Sequence, residues 1–253
     1  MRRLRLLVSV ACLTVAVTAS ADFFDGLVLY LPLDEGEGDV AADLSGLGHD
    51  GVIDAPAWGP GKFGNALVFA GEASGTFVTV ESTEALNVNE MTFTAWVNAN
   101  VWDGTKQIAG KSVHGGCGGR TQYGLFSEGG ILKLRFETAA GRADITAPLP
   151  ETEVWVNIAV TSDGGEGKIY LDGEEVGAGA VPGDLNANED PWRLGQDCDR
   201  ANYIFDGSID EARLWSRALS PDEIGQFMEG GVEMLAVDPA GKLSTTWGAL
   251  RLR

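Results

Sequence analysis

The chain is predicted to be an all-β protein in which two antiparallel sheets pack face to face, with one short helix near the C-terminus. Apolar and polar residues alternate in short runs, as at Leu132, Leu134 and Phe136, which is typical of a strand with one buried face. Turn signals such as Asp163-Gly164-Gly165 recur at short spacing in a chain with 35 glycines. Only one segment has both the start and the stop signals of a helix. These observations favour many short antiparallel strands.

Residues 1–21 have the pattern of a secretory signal peptide. Three arginines precede an apolar run from Leu6 to Val17 and the small-residue site Ala19-Ser20-Ala21, as in signal sequences. The apolar run is shorter than the about 20 residues that a membrane-spanning helix needs. The sequence therefore predicts cleavage after Ala21 and export to the periplasm, the cell surface or the medium. A lipoprotein acylated at Cys12 is the alternative, and its lead-in sequence matches less well.

The strand pattern is strongest in the second half of the chain. Four aliphatic residues at alternating positions share one face of an extended segment: Val154, Val156, Ile158 and Val160. Asp172-Gly173 can supply the positive φ angles of a tight turn between two further strands. The segment from Phe205 to Trp215 is the predicted closing strand.

A helix is predicted from Pro221 to about Glu229. Ser220 occupies the N-cap position, Pro221 the first helical position and Glu223 the third position after the cap, which together form a capping box. Gly230 and Gly231 can end the helix.

The chain is strongly acidic, with 37 acidic against 18 basic residues and a net charge of -19. Removal of residues 1–21 takes away three arginines and no acidic residue, so the mature chain is more negative still. This charge disfavours nucleic acids and anionic membranes, whose binding needs clustered Lys and Arg. It suits solubility and cation binding, although an excess of acidic residues is by itself usually just a solvated surface.

Two cysteines, Cys117 and Cys198, remain once the signal peptide is removed. Because the chain is predicted to be exported, they are expected to form one disulfide; two free thiols are the alternative. A zinc site is not expected, since neither cysteine has a second cysteine nearby and His49 and His114 are isolated.

Six motifs follow one another along the chain. They are Leu29-Tyr30-Leu31-Pro32-Leu33-Asp34-Glu35-Gly36, Asp43-Leu44-Ser45-Gly46 with Gly51, Gly61-Lys62-Phe63-Gly64-Asn65-Ala66-Leu67, Phe93-Thr94-Ala95-Trp96-Val97, the strand at Trp155, and Phe205 to Leu219. This series resembles the laminin-G-like, concanavalin A-like jelly-roll modules of secreted bacterial proteins. Residues 22–231 are accordingly predicted to form one jelly-roll domain, and residues 232–253 a tail without an assigned role. The resemblance implies a binding or accessory module, but the ligand does not carry over, because members bind many partners.

The resemblance also implies a structural calcium ion that joins the first strand to the last. In resembling modules the Asp-x-Ser-Gly loop approaches the aspartate of the closing strand, which implies Asp43 and Asp210 as ligands and Asp34 as a third. Calcium prefers six to eight oxygen ligands from carboxylates, carbonyls and water. The alternative is that Asp43 caps a turn through its own backbone and that Asp210 is satisfied by neighbouring amide groups.

Exposed aromatic rings beside polar groups are typical of carbohydrate sites. Trp102 and Trp192 are flanked by turn residues and are the candidates to stack on a sugar; the alternative is that they act as hydrophobic lids. Trp96, Trp155 and Trp215 lie in strand patterns and are expected in the core.

No catalytic residue is predicted. Glucanases of the resembling fold carry Glu-x-Asp-x-x-Glu on a strand, with the two carboxylates at the short separation of a retaining enzyme. The only Glu-x-Asp here is Glu37-Gly38-Asp39, and Ala42 stands where the last Glu is needed. The sequence therefore predicts a non-catalytic recognition module whose leading ligand is a glycan. A structural or adhesive module that binds a cell-surface protein is the second possibility and a glycoside hydrolase the third. The oligomeric state is not predicted.

Overall fold

The computed structural model describes residues 24–55, 57–71, 75–111, 122–197 and 203–230. The predicted signal peptide, the two cysteines of the predicted disulfide and the tail from 232 to 253 lie outside the described residues.

Sixteen strands and one α-helix follow one another through the described part of the chain. In chain order they are β1 (Leu27–Leu31), β2 (Val40–Ala41), β3 (Gly51–Asp54), β4 (Trp58–Pro60), β5 (Asn65–Ala70), β6 (Phe77–Val80), β7 (Met91–Ala99), β8 (Lys106–Lys111), β9 (Tyr123–Glu128), β10 (Ile131–Thr138), β11 (Gly141–Ala147), β12 (Val156–Ser162), β13 (Glu166–Leu171), β14 (Glu174–Ala180), β15 (Trp192–Leu194), β16 (Asp206–Trp215) and α1 (Pro221–Met228). A 3-10 turn at Glu84–Leu86 lies between β6 and β7.

Two antiparallel sheets contain these strands, which confirms the predicted fold class. Sheet I has the order β14-β13-β12-β7-β16-β5-β4, and β1 pairs with the second half of β16. Sheet II has the order β11-β10-β9-β8-β15-β6-β3-β2. Both sheets also contain neighbours that are distant in sequence, such as β7 and β16 in sheet I and β8 and β15 in sheet II, so residues from far-separated motifs meet on their faces.

The inner faces of the two sheets form one apolar core. Ile158 and Val160 of β12 belong to it, and so do Leu132, Leu134 and Phe136 of β10. Val156 of β12 is buried as well, which confirms both alternation patterns. Val154 lies before β12 and is exposed, so it does not share the strand face of the other three residues as predicted. The hairpin turn is confirmed, because Asp172 and Gly173 both have positive φ, at 47° and 81°.

Both tryptophans that were predicted to stack on a sugar are buried in the structure. Trp192 is 0% exposed and its ring centroid lies 6.1 Å from that of Phe93. Trp102 is 9% exposed and its ring centroid lies 5.7 Å from that of Phe205. The prediction that these rings face solvent is wrong, because the turn residues beside them set the path of the backbone and not the direction of the side chain.

Helix α1 covers part of the outer face of sheet I. Its capping box is formed as predicted, with the Ser220 side chain accepting from the Glu223 N–H and the Glu223 side chain accepting from the Ser220 N–H. Phe227 packs on Trp215 with ring centroids 4.7 Å apart. A second apolar cluster, with Tyr30 and Tyr170 among its members, forms beneath the helix. No helix in the described ranges combines the length and the apolar character needed to cross a bilayer.

We expect Trp192→Ala to lower the free energy of unfolding by about 3–5 kcal/mol, the usual cost of removing a large buried aromatic ring. The matched control is Val154→Ala at a 47% exposed position, which should change it by less than about 0.5 kcal/mol. Urea unfolding followed by circular dichroism measures both. A loss of under 1 kcal/mol for the Trp192 variant would contradict the packing described above.

Candidate functional site

Strand β16 changes partners along its length, and two acidic residues lie at the change. Its first half pairs with β5, from Asp206 opposite Ala70 to Ile209 opposite Leu67. Its second half pairs with β1, beginning at Ala212. The register against β7 shifts between Asp210 and Arg213, and Glu211 has a φ of 57°. This bulge directs the carboxyl groups of Asp210 and Glu211 away from the regular ladder, and both residues are fully buried.

The turn between β4 and β5 holds two carboxylates through its backbone. The N–H of Phe63 donates to Oδ2 of Asp210 at 2.9 Å, and the N–H of Asn65 donates to Oδ1 of Asp34 at 2.8 Å. Gly64 has a φ of 51°, and a Cβ there would lie 2.1 Å from Oδ1 of Asp34. The motif from Gly61 to Leu67 therefore ties the segment after β1 to β16.

Burial dominates the charge state of Asp210. It raises the pKa of this carboxyl to about 8, because an ionised carboxylate is poorly solvated there. The Phe63 N–H opposes the shift, while the negative charges of Glu211 and Asp34 add to it. Oδ1 of Asp210 is buried and has no hydrogen-bond partner in the described part of the chain.

Glu211 links β1 to β16 through a buried polar triad. Its Oε2 accepts from the Tyr30 hydroxyl at 2.8 Å and also from Nη2 of Arg213. The same Arg213 nitrogen donates to the Tyr30 hydroxyl at 3.0 Å. Burial raises the pKa of Glu211, with Arg213 and the Tyr30 hydrogen bond working against it. We call Asp34, Asp210, Glu211, Tyr30 and Arg213 the Asp210 cluster.

Asp43 lies apart from the Asp210 cluster and acts as a loop cap. Its Oδ1 accepts from the N–H groups of Tyr30 and Ser45, each at 2.9 Å. Its Oδ2 accepts from Oγ of Ser45 at 2.6 Å and from the N–H of His49 at 2.9 Å. Burial alone would raise the pKa of Asp43, but these hydrogen bonds outweigh it and hold the pKa below the usual value.

The structure does not bring Asp43 and Asp210 together. Both main-chain polar groups of Tyr30 bind the Asp43-Leu44 segment, so this segment lies along the edge of β1 opposite β16. Since β1 stands between the two aspartates and four donors occupy the oxygens of Asp43, a calcium ion bridging Asp43 and Asp210 does not fit. Within the described residues, no three His, Cys, Asp or Glu side chains are placed to hold a metal ion.

Trp96 lies on the outer face of sheet I beside the Asp210 cluster, opposite Asp210 in the β7–β16 pairing. The Lys62 ammonium sits 4.0 Å from its ring centroid, and Phe63 meets it edge-on at 6.3 Å. Trp96 is buried, as expected, but the β4–β5 turn covers it and it is not part of the main core. The Asp210 cluster and its cover are thus closed to a large ligand.

The outer face of sheet II carries an exposed row of side chains at its β2 edge. Val40 pairs with Val52, Val52 with Thr79 and Thr79 with Arg193 across four strands. Val40 and Val52 are 47% and 57% exposed, and Thr79, Arg193 and the adjacent Phe77 are half-buried. We call these five residues the Arg193 surface.

The Arg193 surface combines three kinds of recognition group. Phe77 and Val52 offer apolar area, Thr79 a hydroxyl and Arg193 a cation whose guanidinium carbon lies 5.6 Å from the Phe77 ring centroid. Sequence reasoning did not find this surface. β6 reads Phe-Val-Thr-Val and β15 has three residues, so neither strand reveals which side chains face out.

Comparisons with known proteins identify the same fold. A family model described as the Concanavalin A-like lectin/glucanases superfamily matches residues 72–225. Domain 4 of AbnA, a GH43 extracellular arabinanase from Geobacillus stearothermophilus solved in complex with arabinotriose, matches with a TM-score of 0.62 and 20% identity over 79% of this chain and 97% of that domain.

Two larger proteins also contain this fold. The binding domain of Paraclostridial Mosquitocidal Protein 1 matches with a TM-score of 0.63 and 17% identity over 81% of this chain and 52% of that domain, so the chain spans about half its length. Trypanosoma rangeli sialidase in complex with the inhibitor DANA matches with a TM-score of 0.58 and 18% identity, over 79% of this chain and 32% of the sialidase. A search of curated protein sequences finds no significant match.

Because the pKa of Asp210 is raised, its contribution to the free energy of unfolding should change with pH in a known direction. The folded protein keeps a proton that the unfolded chain releases near pH 3.8, so in metal-free buffer the Asp210 contribution to the free energy of unfolding should fall as the pH rises from 3.8 to about 8. Asp210→Asn, which resembles the protonated acid, should remove this part of the pH dependence. Asp103→Asn is the control, since that side chain is 76% exposed. Urea unfolding at several pH values with chelator present measures the slopes; equal slopes for wild type and Asp210→Asn would contradict the assignment.

Proposed function

Because the chain belongs to the concanavalin A-like lectin/glucanase superfamily, we propose that it is an exported, non-catalytic carbohydrate-binding module. The similarity to an arabinanase domain solved in complex with arabinotriose supports this proposal. The predicted signal peptide at residues 1–21 supports export, and the acidic charge suits a soluble protein outside the cell.

The Arg193 surface is the observation that carries the proposal. A sugar presents apolar C–H groups on its ring faces and hydroxyls around its edge, so its sites combine apolar area with polar groups. Phe77 and Val52 supply the first and Thr79 and Arg193 the second, on adjacent strands of one sheet. Trp102 and Trp192 have no part in it, because both are buried.

The positions of Asp210 and Glu211 support a binding role over glycoside hydrolysis. A retaining or inverting glycosidase needs two carboxyl groups that flank the scissile bond. Asp210 and Glu211 are fully buried and take hydrogen bonds from Phe63 and Tyr30. A polysaccharide cannot reach them without opening the fold.

The proposal includes one structural calcium ion with Asp210 and Asp34 as its carboxylate ligands. Oδ1 of Asp210 is buried without a partner among the described residues; burial does most to raise the pKa of this carboxyl, and the nearby charges of Glu211 and Asp34 add to the shift. A divalent cation would relieve this repulsion, and calcium accepts backbone carbonyls and water for the rest of its ligands. Such an ion would fasten the segment after β1 to β16. Asp43 is left out because donors occupy its oxygens.

Glycan binding through the Arg193 surface can be tested on a glycan array. We expect the wild-type protein to retain at least one glycan and Phe77→Ala to weaken that binding by about 1–3 kcal/mol, as for an aromatic contact at the centre of a site. The control is Val154→Ala, an exposed apolar residue outside the Arg193 surface. The proposal fails if no glycan is retained, and the location fails if folded Phe77→Ala binds as wild type does.

Calcium should bind through Asp210 and not through Asp43. At a free calcium concentration a hundred times the Kd, a metal bound only by the folded state adds about 2.7 kcal/mol, so chelator should lower the melting temperature of the wild type. Asp210→Asn should lose this response. Asp43→Asn should lose about 1–3 kcal/mol of stability through its broken hydrogen bonds and keep the response. Differential scanning calorimetry measures the melting temperatures, and elemental analysis measures the calcium content of the purified protein. Absence of calcium from purified protein, with one melting curve in chelator and in millimolar calcium, would refute the calcium proposal.

A further inference from the structure

Arg193 differs from the other arginines on the described strands because it has no acidic partner there. The others form ion pairs: Arg135 with Asp144, Arg142 with Glu137 and Arg213 with Glu211. The guanidinium of Arg193 lies instead over the ring of Phe77. In a chain with about two acidic residues for each basic one, an arginine without a carboxylate partner is unexpected and indicates a role other than an internal ion pair.

The fold fixes the direction of Arg193. Trp192 and Leu194 on either side of it point into the core, so the Arg193 side chain projects from the outer face of sheet II. Its Nε is buried and has no hydrogen-bond partner within the described residues. No carboxylate of the described residues pairs with this guanidinium, and its terminal nitrogens are not among the buried atoms, so they are the donors that an incoming acceptor can reach.

Arg135 shows, on the same face of the same sheet, what a satisfied arginine looks like. Its guanidinium lies 4.8 Å from the Phe126 ring centroid. Its Nε and Nη2 donate to the two oxygens of Asp144 at 2.7 and 2.8 Å. These two bonds between Arg135 and Asp144 are the fork geometry in which arginine binds a planar carboxylate through two parallel hydrogen bonds. Arg193 has the same kind of aromatic contact but no carboxylate partner.

We propose that the Arg193 surface binds the carboxylate of an acidic sugar, so that the ligand is a glycan containing uronic or sialic acid. This inference rests on the proposed carbohydrate-binding function and specifies its ligand class. The carboxylate meets the two terminal nitrogens of Arg193, the Thr79 hydroxyl bonds a ring substituent, and the sugar ring lies over Phe77 and Val52.

The surrounding charges restrict this ligand class further. Screening in physiological salt limits repulsion from distant acids, because the Debye length is about 8 Å. Asp54, however, is exposed and lies opposite Phe77 in the β3–β6 pairing. A second anionic group beside the first would meet this carboxylate, so isolated acidic units are favoured over densely charged ones.

The test compares each acid with its uncharged form. Sialyllactose, trigalacturonate and a hyaluronan tetrasaccharide are titrated into the full exported protein beside their methyl esters, by isothermal titration calorimetry at low and physiological salt. We expect wild type to bind at least one acid about tenfold or more tightly than its ester, with the preference shrinking as salt rises. Arg193→Gln should abolish the preference, and Arg193→Lys, which keeps the charge but loses the fork, should restore only part of it. Lys168→Gln removes the same charge from sheet I and should leave the preference intact.

Two results overturn the inference. One is equal binding of acid and ester by wild type; the other is a preference that survives in folded Arg193→Gln. If neutral glycans on the array are retained and lost in Phe77→Ala while no acid is preferred, the ligand class is wrong and the proposed function stands. If neither the array nor the titrations show a bound glycan, both fail.

Discussion

The burial of two adjacent carboxyl groups in the bulge of β16 is the constraint on which the rest of this fold depends. At Asp210 and Glu211 the strand leaves β5 and joins β1, and neither neighbour continues the ladder across the change. Asp210 takes a backbone N–H from the β4–β5 turn, and Glu211 takes the Tyr30 hydroxyl and Arg213. The cost of dehydrating the two acids is thus offset by donors from three separate motifs. Removing one donor would leave a buried group unsatisfied, so the motifs hold one another in place.

The local parts of the fold could be predicted from the sequence, because local physics determines them. Alternation assigned the buried faces of β10 and β12, positive φ at Asp172 and Gly173 closed the predicted hairpin, and Ser220 with Glu223 capped the predicted helix. Each of these depends on a few consecutive residues. Val154, the one member of the alternating set that the strand does not include, lies just before β12, because a periodic pattern does not define where a strand begins or ends.

The site could not be predicted in the same way, because it depends on register between distant strands. Asp43 faces the free edge of β1 and not β16, which follows from the pairing of the whole sheet and not from its loop motif. Trp192 is buried because β15 lies between β8 and β6. Because side chains alternate along β15, Arg193 then points to the outer face of the sheet, beside Phe77 and Thr79. A three-residue strand has too few positions to show which face it buries.

The outer faces of the two sheets therefore differ in how far other parts of the chain cover them. Helix α1 and the β4–β5 turn cover much of sheet I, and the apolar and aromatic groups there are already packed. Sheet II keeps an open row at its β2 edge, set on strands whose other face belongs to the core. A half-buried arginine can remain there without an ion pair because water solvates its exposed nitrogens and the Phe77 ring contributes about 0.5–1 kcal/mol of cation–π attraction. Its position is already fixed by the stacking, so a ligand carboxylate would form two hydrogen bonds with little further loss of side-chain entropy. The proposed recognition of an anion by so acidic a chain rests on this pre-organisation and not on net charge.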